Sequence, residues 1–462
     1  KHQQTKNLCS LFSHTRQKTM LLLPLVSAVL LLFASCETGN LPNPVIGAYF
    51  PNWAQYRAAP ATFTPTQAEP IMKTINVLYY GFAYFCPNSS MSQPYWITQL
   101  KLCQGKNAFD VVNIEPKDPQ YYSEFVGYKS QNPALKVIIS IGGWNFPSNF
   151  WSQMASDVSS RTAFINSAKA FMSQYGFDGI DIDWEYPKSP ARTDEVKITC
   201  TQFDQTQDAG GSPQDGVNFV TLVKEMRASF GEDMIITVAS QADMQKATDE
   251  DIKGLFEYID MYNLMTYDYT VSDIKDSPIT APNQPLYPPP ADSGVWNDST
   301  AVTINGYLAQ GIPANKMSVG IAYYGHAWYV PDAGSNYCQF GLKAANQGEC
   351  CGPFASTMGA KYGKYSELCG TYMYSEIQAA GFETCFNNAT QSNIGYAVSP
   401  KDGYTAKGVW ISYQGTETVQ AIVDFAKSKK LGGAFAFDIS MDSMSGGTFT
   451  YELTKEIAKL EG

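Results

Sequence analysis

The chain has 462 residues, a formal net charge of −11, 13% aromatic residues and only 16% charged ones. That length suits a large barrel with an insertion or two to three ordinary domains, and the 25 Phe, 29 Tyr and 8 Trp exclude low-complexity disorder. The acidic balance disfavours phosphate backbones and anionic lipid as partners. Histidine excludes more: of the three, His2 and His14 fall in an amino-terminal stretch read as dispensable, which leaves His326. One histidine cannot build a multi-His zinc site, so catalysis falls to carboxylates.

Met20–Ser35 reads MLLLPLVSAVLLLFAS, an apolar run ending in small residues before Cys36, the pattern of a secretory signal peptide over 20–36. Residues 1–19 read as an upstream extension outside the mature protein. Export also suits the cysteines. Cys86, Cys103 and Cys200 precede a dense group, Cys338, Cys350, Cys351, Cys369 and Cys385, expected to staple a subdomain with disulfides. A Cys86–Cys103 bridge is one guess among open pairings. Asn-X-Ser/Thr sequons at Asn88, Asn297 and Asn388 permit glycosylation.

Eight short apolar runs predict buried strands: Val45–Phe50, Ile75–Phe85, Lys136–Ile141, Gly179–Trp184, Met234–Ala239, Ile259–Met265, Met317–Tyr323 and Leu431–Phe437. Helical spacing recurs at Ser160–Gln174, Val217–Phe230, Thr300–Gln310 and Thr416–Lys429. Eight strands alternating with helices predict an α/β fold, a (β/α)8 barrel over 43–326 and 403–462. An open doubly wound sheet is the rival, but no glycine-rich phosphate fingerprint follows the first strand. About a hundred residues separate the last two strands, far longer than an ordinary connection. The cysteine-rich part, 327–402, is therefore expected to form an α+β insertion walling a substrate groove.

The segment FDGIDIDWEYP, Phe177–Pro187, carries the chemistry. Asp181, Asp183 and Glu185 alternate, so on a strand their side chains share one face, while Ile180, Ile182 and Trp184 share the other. Three acids on one buried face repel and desolvate each other. One of them should hold its proton near neutral pH and act as a general acid. The structural alternative, an edge strand with its acids in water, fits poorly with the apolar second face.

These residues resemble the Asp-x-x-Asp-x-Asp-x-Glu signature of family 18 glycoside hydrolases, the chitinases, filled here by Asp178, Asp181, Asp183 and Glu185. SIGGW (Ser140–Trp144), YFPNWAQYR (Tyr49–Arg57) and MTYD (Met265–Asp268) are similar to further motifs of the family, in the same order. The resemblance implies a retaining, substrate-assisted reaction on β-1,4-linked N-acetylglucosamine polymers. Glu185 would protonate the leaving oxygen, and the substrate's acetamido carbonyl would attack C1. Asp183 would orient the acetamido N–H, sharing a proton or charge with Asp181, and Tyr267 would donate to the acetamido oxygen. Sugar contacts would come from Tyr49, Phe82, Trp144, Tyr186, Met265, Asp268 and Tyr324. Phe82 and Met265 also read as ordinary core; Trp53 and Trp328 are read first as structural rather than as extensions of the groove.

Two positions depart from the family pattern. Phe437, in GGAFAF, stands where a Trp usually floors the sugar site, and His326, in YYGHAW, replaces the commoner Arg. Both are expected to loosen the grip on sugar, with His326 adding some pH sensitivity unless it is a packed rim residue. The resemblance implies a secreted, monomeric chitinase with chitin or chito-oligosaccharide as its partner, no metal and no cofactor. Its rivals are an endo-β-N-acetylglucosaminidase acting on N-glycans, or a chitin-binding lectin that does not cleave. The intact Glu185 argues against the lectin.

Overall fold

A computed structural model describes residues 41–89, 101–188, 196–199, 202–204, 211–272, 279–345, 364–366, 370–401, 405 and 407–461. Expectations for the leader, for Cys200 and for Cys350, Cys351 and Cys369 lie outside them. Among these residues no helix is long and apolar enough to cross a membrane.

The eight expected strands form. They are Val45–Pro51, Val77–Phe85, Lys136–Gly142, Gly179–Asp183, Ile235–Ser240, Met261–Leu264, Met317–Ala322 and Gly433–Phe437. All pair in parallel, and the first pairs with both the second (Gly47↔Val77) and the eighth (Val45↔Gly433), so the sheet closes and has no open barrel edge. The fold is the (β/α)8 barrel. Closure explains why the strands read as continuous apolar runs: one face fills the barrel and the other packs under helices. A short antiparallel strand, Val111–Asn113, extends the sheet beside the second strand and carries no alternation long enough to read from sequence.

The helices cover the outer face. Val158–Tyr175 starts where the Asp157 side chain accepts from the Ser159 and Ser160 amides at 2.8 and 3.0 Å, and it stops at Gly176 with φ 79°. Outward-facing Ile180 and Ile182 are fully buried, each contributing roughly 1.5–3 kcal/mol by leaving water. Trp184 stacks on Trp151 at 5.9 Å and lies against Phe219. The central acids are thereby forced inward.

Between the seventh and eighth barrel strands a second, antiparallel sheet of five strands forms. It comprises Tyr324–Tyr329, Thr371–Met373, Glu383–Asn387, Ser392–Tyr396 and Val409–Tyr413, with the helix Tyr374–Ala380. It takes in Tyr324–His326 and Val409–Tyr413 as well as residues between 327 and 402, because His326 pairs with both Thr371 and Ser412. Trp328 and Trp410, both fully buried, centre its core, so Trp328 is structural and does not reach a groove. Disulfides join Cys86 to Cys103 and Cys338 to Cys385.

Candidate active site

Asp181 sits inside the barrel with no exposure. Its Oδ2 accepts from Tyr49 at 2.8 Å and Ser140 at 2.7 Å, and its Oδ1 from Thr237 at 2.6 Å and Asn263 at 3.2 Å. These donors come from the first, third, fifth and sixth strands, so one carboxylate ties half the barrel wall together. Burial pushes the Asp181 carboxyl up while the donors pull it back. Four donors filling both oxygens suit the ionised form.

Asp183, one pleat further along the strand, is buried at 3% exposure, and its Oδ1 has no partner. Burial raises its carboxyl well above the usual range, followed by the charges of Glu185, Asp181 and Glu250. No hydrogen bond joins it to Asp181. The close approach of the third strand depends on two glycines. Gly142, at φ 111°, has Asp183 O where a Cβ would stand, and the Gly143 N–H donates to that oxygen at 2.9 Å.

Glu185 lies two residues beyond the strand at the barrel mouth, 7% exposed. Burial raises its carboxyl to about 7; Asp268 adds to the rise, while Tyr186 and Lys246 oppose it. Its neighbours are clamped. The Ser148 hydroxyl accepts from the Trp184 indole at 2.7 Å and donates to the Tyr186 carbonyl at 2.8 Å. The acid therefore sits on backbone pinned from both sides.

The aromatic candidates gather around this mouth. Tyr267 is nearly buried, its hydroxyl makes no hydrogen bond among the described residues, and its ring stacks on Phe437 at 5.7 Å and 25°. Tyr49 lies 5.6 Å from Phe437. Trp144 is 47% exposed and 6.4 Å from Tyr186, whose ring lies under the Lys246 ammonium at 5.0 Å. Phe82 is nearly buried but carries Trp53 stacked on it at 6.0 Å, and Trp53 is 39% exposed. The Tyr324 hydroxyl donates to both Asp268 oxygens at 2.8 Å, and His326 is buried beside them. Met265 is half-buried after the sixth strand. Asp178 is elsewhere: it accepts from the Val137 amide at 2.8 Å and pairs with Lys129 at 2.5 Å, before the strand begins.

A barrel mouth with carboxyls at three alternate positions, ringed by tyrosines and open indoles, could offer a proton to a bond in a molecule with flat apolar faces. The sequence profile of Glycosyl hydrolases family 18 matches residues 45–442. The chain belongs to that family. Family 18 relatives include mouse chitotriosidase-1, 26% identical over 404 residues covering 86% of this chain and 73% of that protein. Probable chitinase 2 of Drosophila melanogaster is 27% identical, covering 94% and 80%. A solved structure of human YKL-39, described as a pseudo-chitinase with retained chitooligosaccharide binding, has the same fold at TM-score 0.68. It is 23% identical and covers 90% of this chain and 99% of that one.

Sequence reasoning did not single out Ser140, Thr237 and Asn263, which hold the Asp181 carboxylate, or the buried Glu250. The first three are polar residues on inward positions of otherwise apolar strands, a signal that was present. Glu250 gave none, being one acid in the run Thr248–Asp251.

Proposed function

We propose that the chain is an exported chitinase that hydrolyses β-1,4-N-acetylglucosamine linkages with retention. The observation that carries this reading is Glu185: buried at the barrel mouth and pushed up to about 7, next along the same face to Asp183, whose carboxyl burial also raises. A carboxyl in that range is protonated at the start of the reaction yet able to return as a base.

In the first step Glu185 gives its proton to the glycosidic oxygen as the C1–O bond breaks. The substrate's 2-acetamido oxygen forms a bond to C1, giving an oxazolinium ion, so no glycosyl ester on the protein is required. Asp183 accepts from the acetamido N–H and takes up the developing charge, while Tyr267, whose hydroxyl makes no hydrogen bond among the described residues, donates to the acetamido oxygen. In the second step water attacks C1 and loses its proton to the Glu185 carboxylate, while the bond from C1 to the acetamido oxygen breaks and the acetamido group is restored. Trp144, Tyr186, Phe82 and Trp53 offer aromatic faces to successive sugars.

The test incubates the protein with chito-oligosaccharides and, separately, with a high-mannose glycopeptide, and identifies the products. Short oligomers from the first alone, initially as β-anomers, are expected. Release from the glycopeptide alone supports an endo-β-N-acetylglucosaminidase, binding without products supports a lectin, and α-anomers overturn retention. Glu185→Gln should bind and not turn over.

A further inference from the structure

Glu250 is a buried acid to which the reaction above gives no task. It follows the helix Met244–Asp249 and is 1% exposed. It reaches back to the end of the fifth barrel strand, where the Ser240 hydroxyl pairs with its Oε2 and the Gln241 amide donates to its Oε1 at 3.3 Å. The fourth and fifth strands are in register at Ile182↔Val238. Glu185 and Gln241 each follow that pair by three residues, at the mouths of neighbouring strands.

The protonation of Glu250 can be counted. Its Oε2, Ser240 Oγ, Tyr307 OH and the Gln241 carbonyl oxygen form a chain of three contacts, with Ser240–Tyr307 at 2.7 Å and Tyr307–Gln241 O at 2.8 Å. Each contact between oxygens needs a proton. The carbonyl brings none, and the two hydroxyls bring one each. The third proton belongs to the Glu250 carboxyl. Burial agrees, since it raises this group to about 8, with the Glu185 charge adding to the rise.

We propose that Glu250 is a positioning residue for Glu185: a carboxylic acid kept neutral by this run of contacts, which holds the mouth of the fifth strand next to the one that carries Glu185. The proposal rests on Glu185 being the acid. The groups around Glu250 are Glu185 and Asp183 from the fourth strand, Tyr262 from the sixth, Tyr307 from the helix Thr300–Ala309, and Asp251 beside it in the chain. Lys246, one helical turn before Glu250, acts on Glu185 with the opposite sign. Between them, the two residues after the fifth strand set how long Glu185 keeps its proton as pH rises. While Glu185 loses its proton, Glu250 is beginning to lose its own, so the two titrate as a pair and stretch the alkaline limb.

The test compares the pH dependence of kcat/KM for the full chain and for Glu250→Gln and Lys246→Met, on a chito-oligosaccharide. Glu250→Gln should move the alkaline limb down by roughly 0.3 pH units and steepen it toward a single proton, because the charge that forms on Glu250 along the limb no longer helps Glu185 keep its proton. Lys246→Met should move it up. A limb unchanged in midpoint and slope in Glu250→Gln overturns the proposal. Tyr307→Phe serves if Glu250→Gln does not fold: it frees the Ser240 proton to satisfy an ionised Glu250, and the limb should move up; an unmoved limb counts against the proposal.

A second readout does not depend on activity. The infrared difference between wild type and Glu250→Gln should contain a protonated-carboxyl band at pH 6.5 that fades above pH 9. Its absence at pH 6.5 overturns the proposal even in an active protein. Turnover by Glu185→Gln overturns the functional reading instead.

Discussion

His326 Nε2 lies 2.7 Å from Asp268 Oδ1. The same carboxylate takes the Tyr324 hydroxyl, and Asp268 holds a left-handed backbone at φ 57° with its amide donating to Asn283 Oδ1 at 3.0 Å. Asp268 is thus aimed into the mouth by three partners, while its side chain stays 43% exposed. Under the proposed function His326 would act on a sugar through Asp268; its Nδ1 is buried with no partner among the described residues.

His326→Ala removes one of the two side chains that orient this carboxylate. A hydrogen bond to a charged group contributes about 1.5–3 kcal/mol, so KM for chito-oligosaccharides should rise ~10-fold or more with a smaller change in kcat. His326→Arg should lower KM below wild type, because a guanidinium reaches Asp268 and retains donors for the sugar. Steady-state kinetics on a chromogenic chito-oligosaccharide decides, and equal KM for all three proteins would place His326 outside the binding machinery.

Phe437, which the family resemblance places at the floor of the sugar site, stacks on Tyr267 at 5.7 Å and 25°. Phe437→Trp enlarges the stacking face and adds an indole donor, so KM should fall severalfold. Unchanged KM and kcat would show that the floor does not limit binding.

In the proposed mechanism Glu185 must start protonated, and burial raises that group to about 7. Activity should therefore be full on the acid side and decline through neutrality, with a kcat/KM midpoint near pH 7. A plateau running past pH 9 would remove Glu185 from the acid role.

The stability optimum should also lie on the acid side. Burial raises Asp118 to about 6, Glu185 to about 7 and Glu250 to about 8, and also raises Asp181, Asp183, Asp438 and Asp442. Between its unfolded and folded values, each raised carboxyl is more fully protonated in the folded state than in the unfolded chain. Its contribution is present below the unfolded value near 4 and is lost as pH rises through the folded value. Tm should fall between pH 5 and pH 8, and a flat or rising profile would contradict these shifts.

Ser148 bridges the Trp184 indole and the Tyr186 carbonyl around Glu185. Ser148→Ala leaves both buried groups without it, costing about 1–3 kcal/mol by thermal denaturation. Because the acid loses its clamp, kcat should fall more than KM rises.

The barrel was legible in the chain because its strands bury both faces, so each reads as an apolar run whatever its partner. The alternation of Asp181, Asp183 and Glu185 likewise puts them on one face by the two-residue period of a strand alone. Phe82 and Trp53 show the limit: sequence left one between core and groove and read the other as structural, yet they stack together at the mouth. Trp328, which sequence read as structural, is indeed core, because the antiparallel sheet covers it.

What sequence alone determined was therefore the order of the strands and the face carrying the acids, both set by local periodicity and by the cost of burying charge. Only the closed sheet decided what each acid meets. It brought Tyr49, Ser140, Thr237 and Asn263 from distant segments onto Asp181, left Asp183 Oδ1 without a partner, and tied Glu250 to the mouth of the fifth strand. Proton affinity depends on solvent exclusion and on charges within a few ångströms, and those distances exist only after the chain has folded.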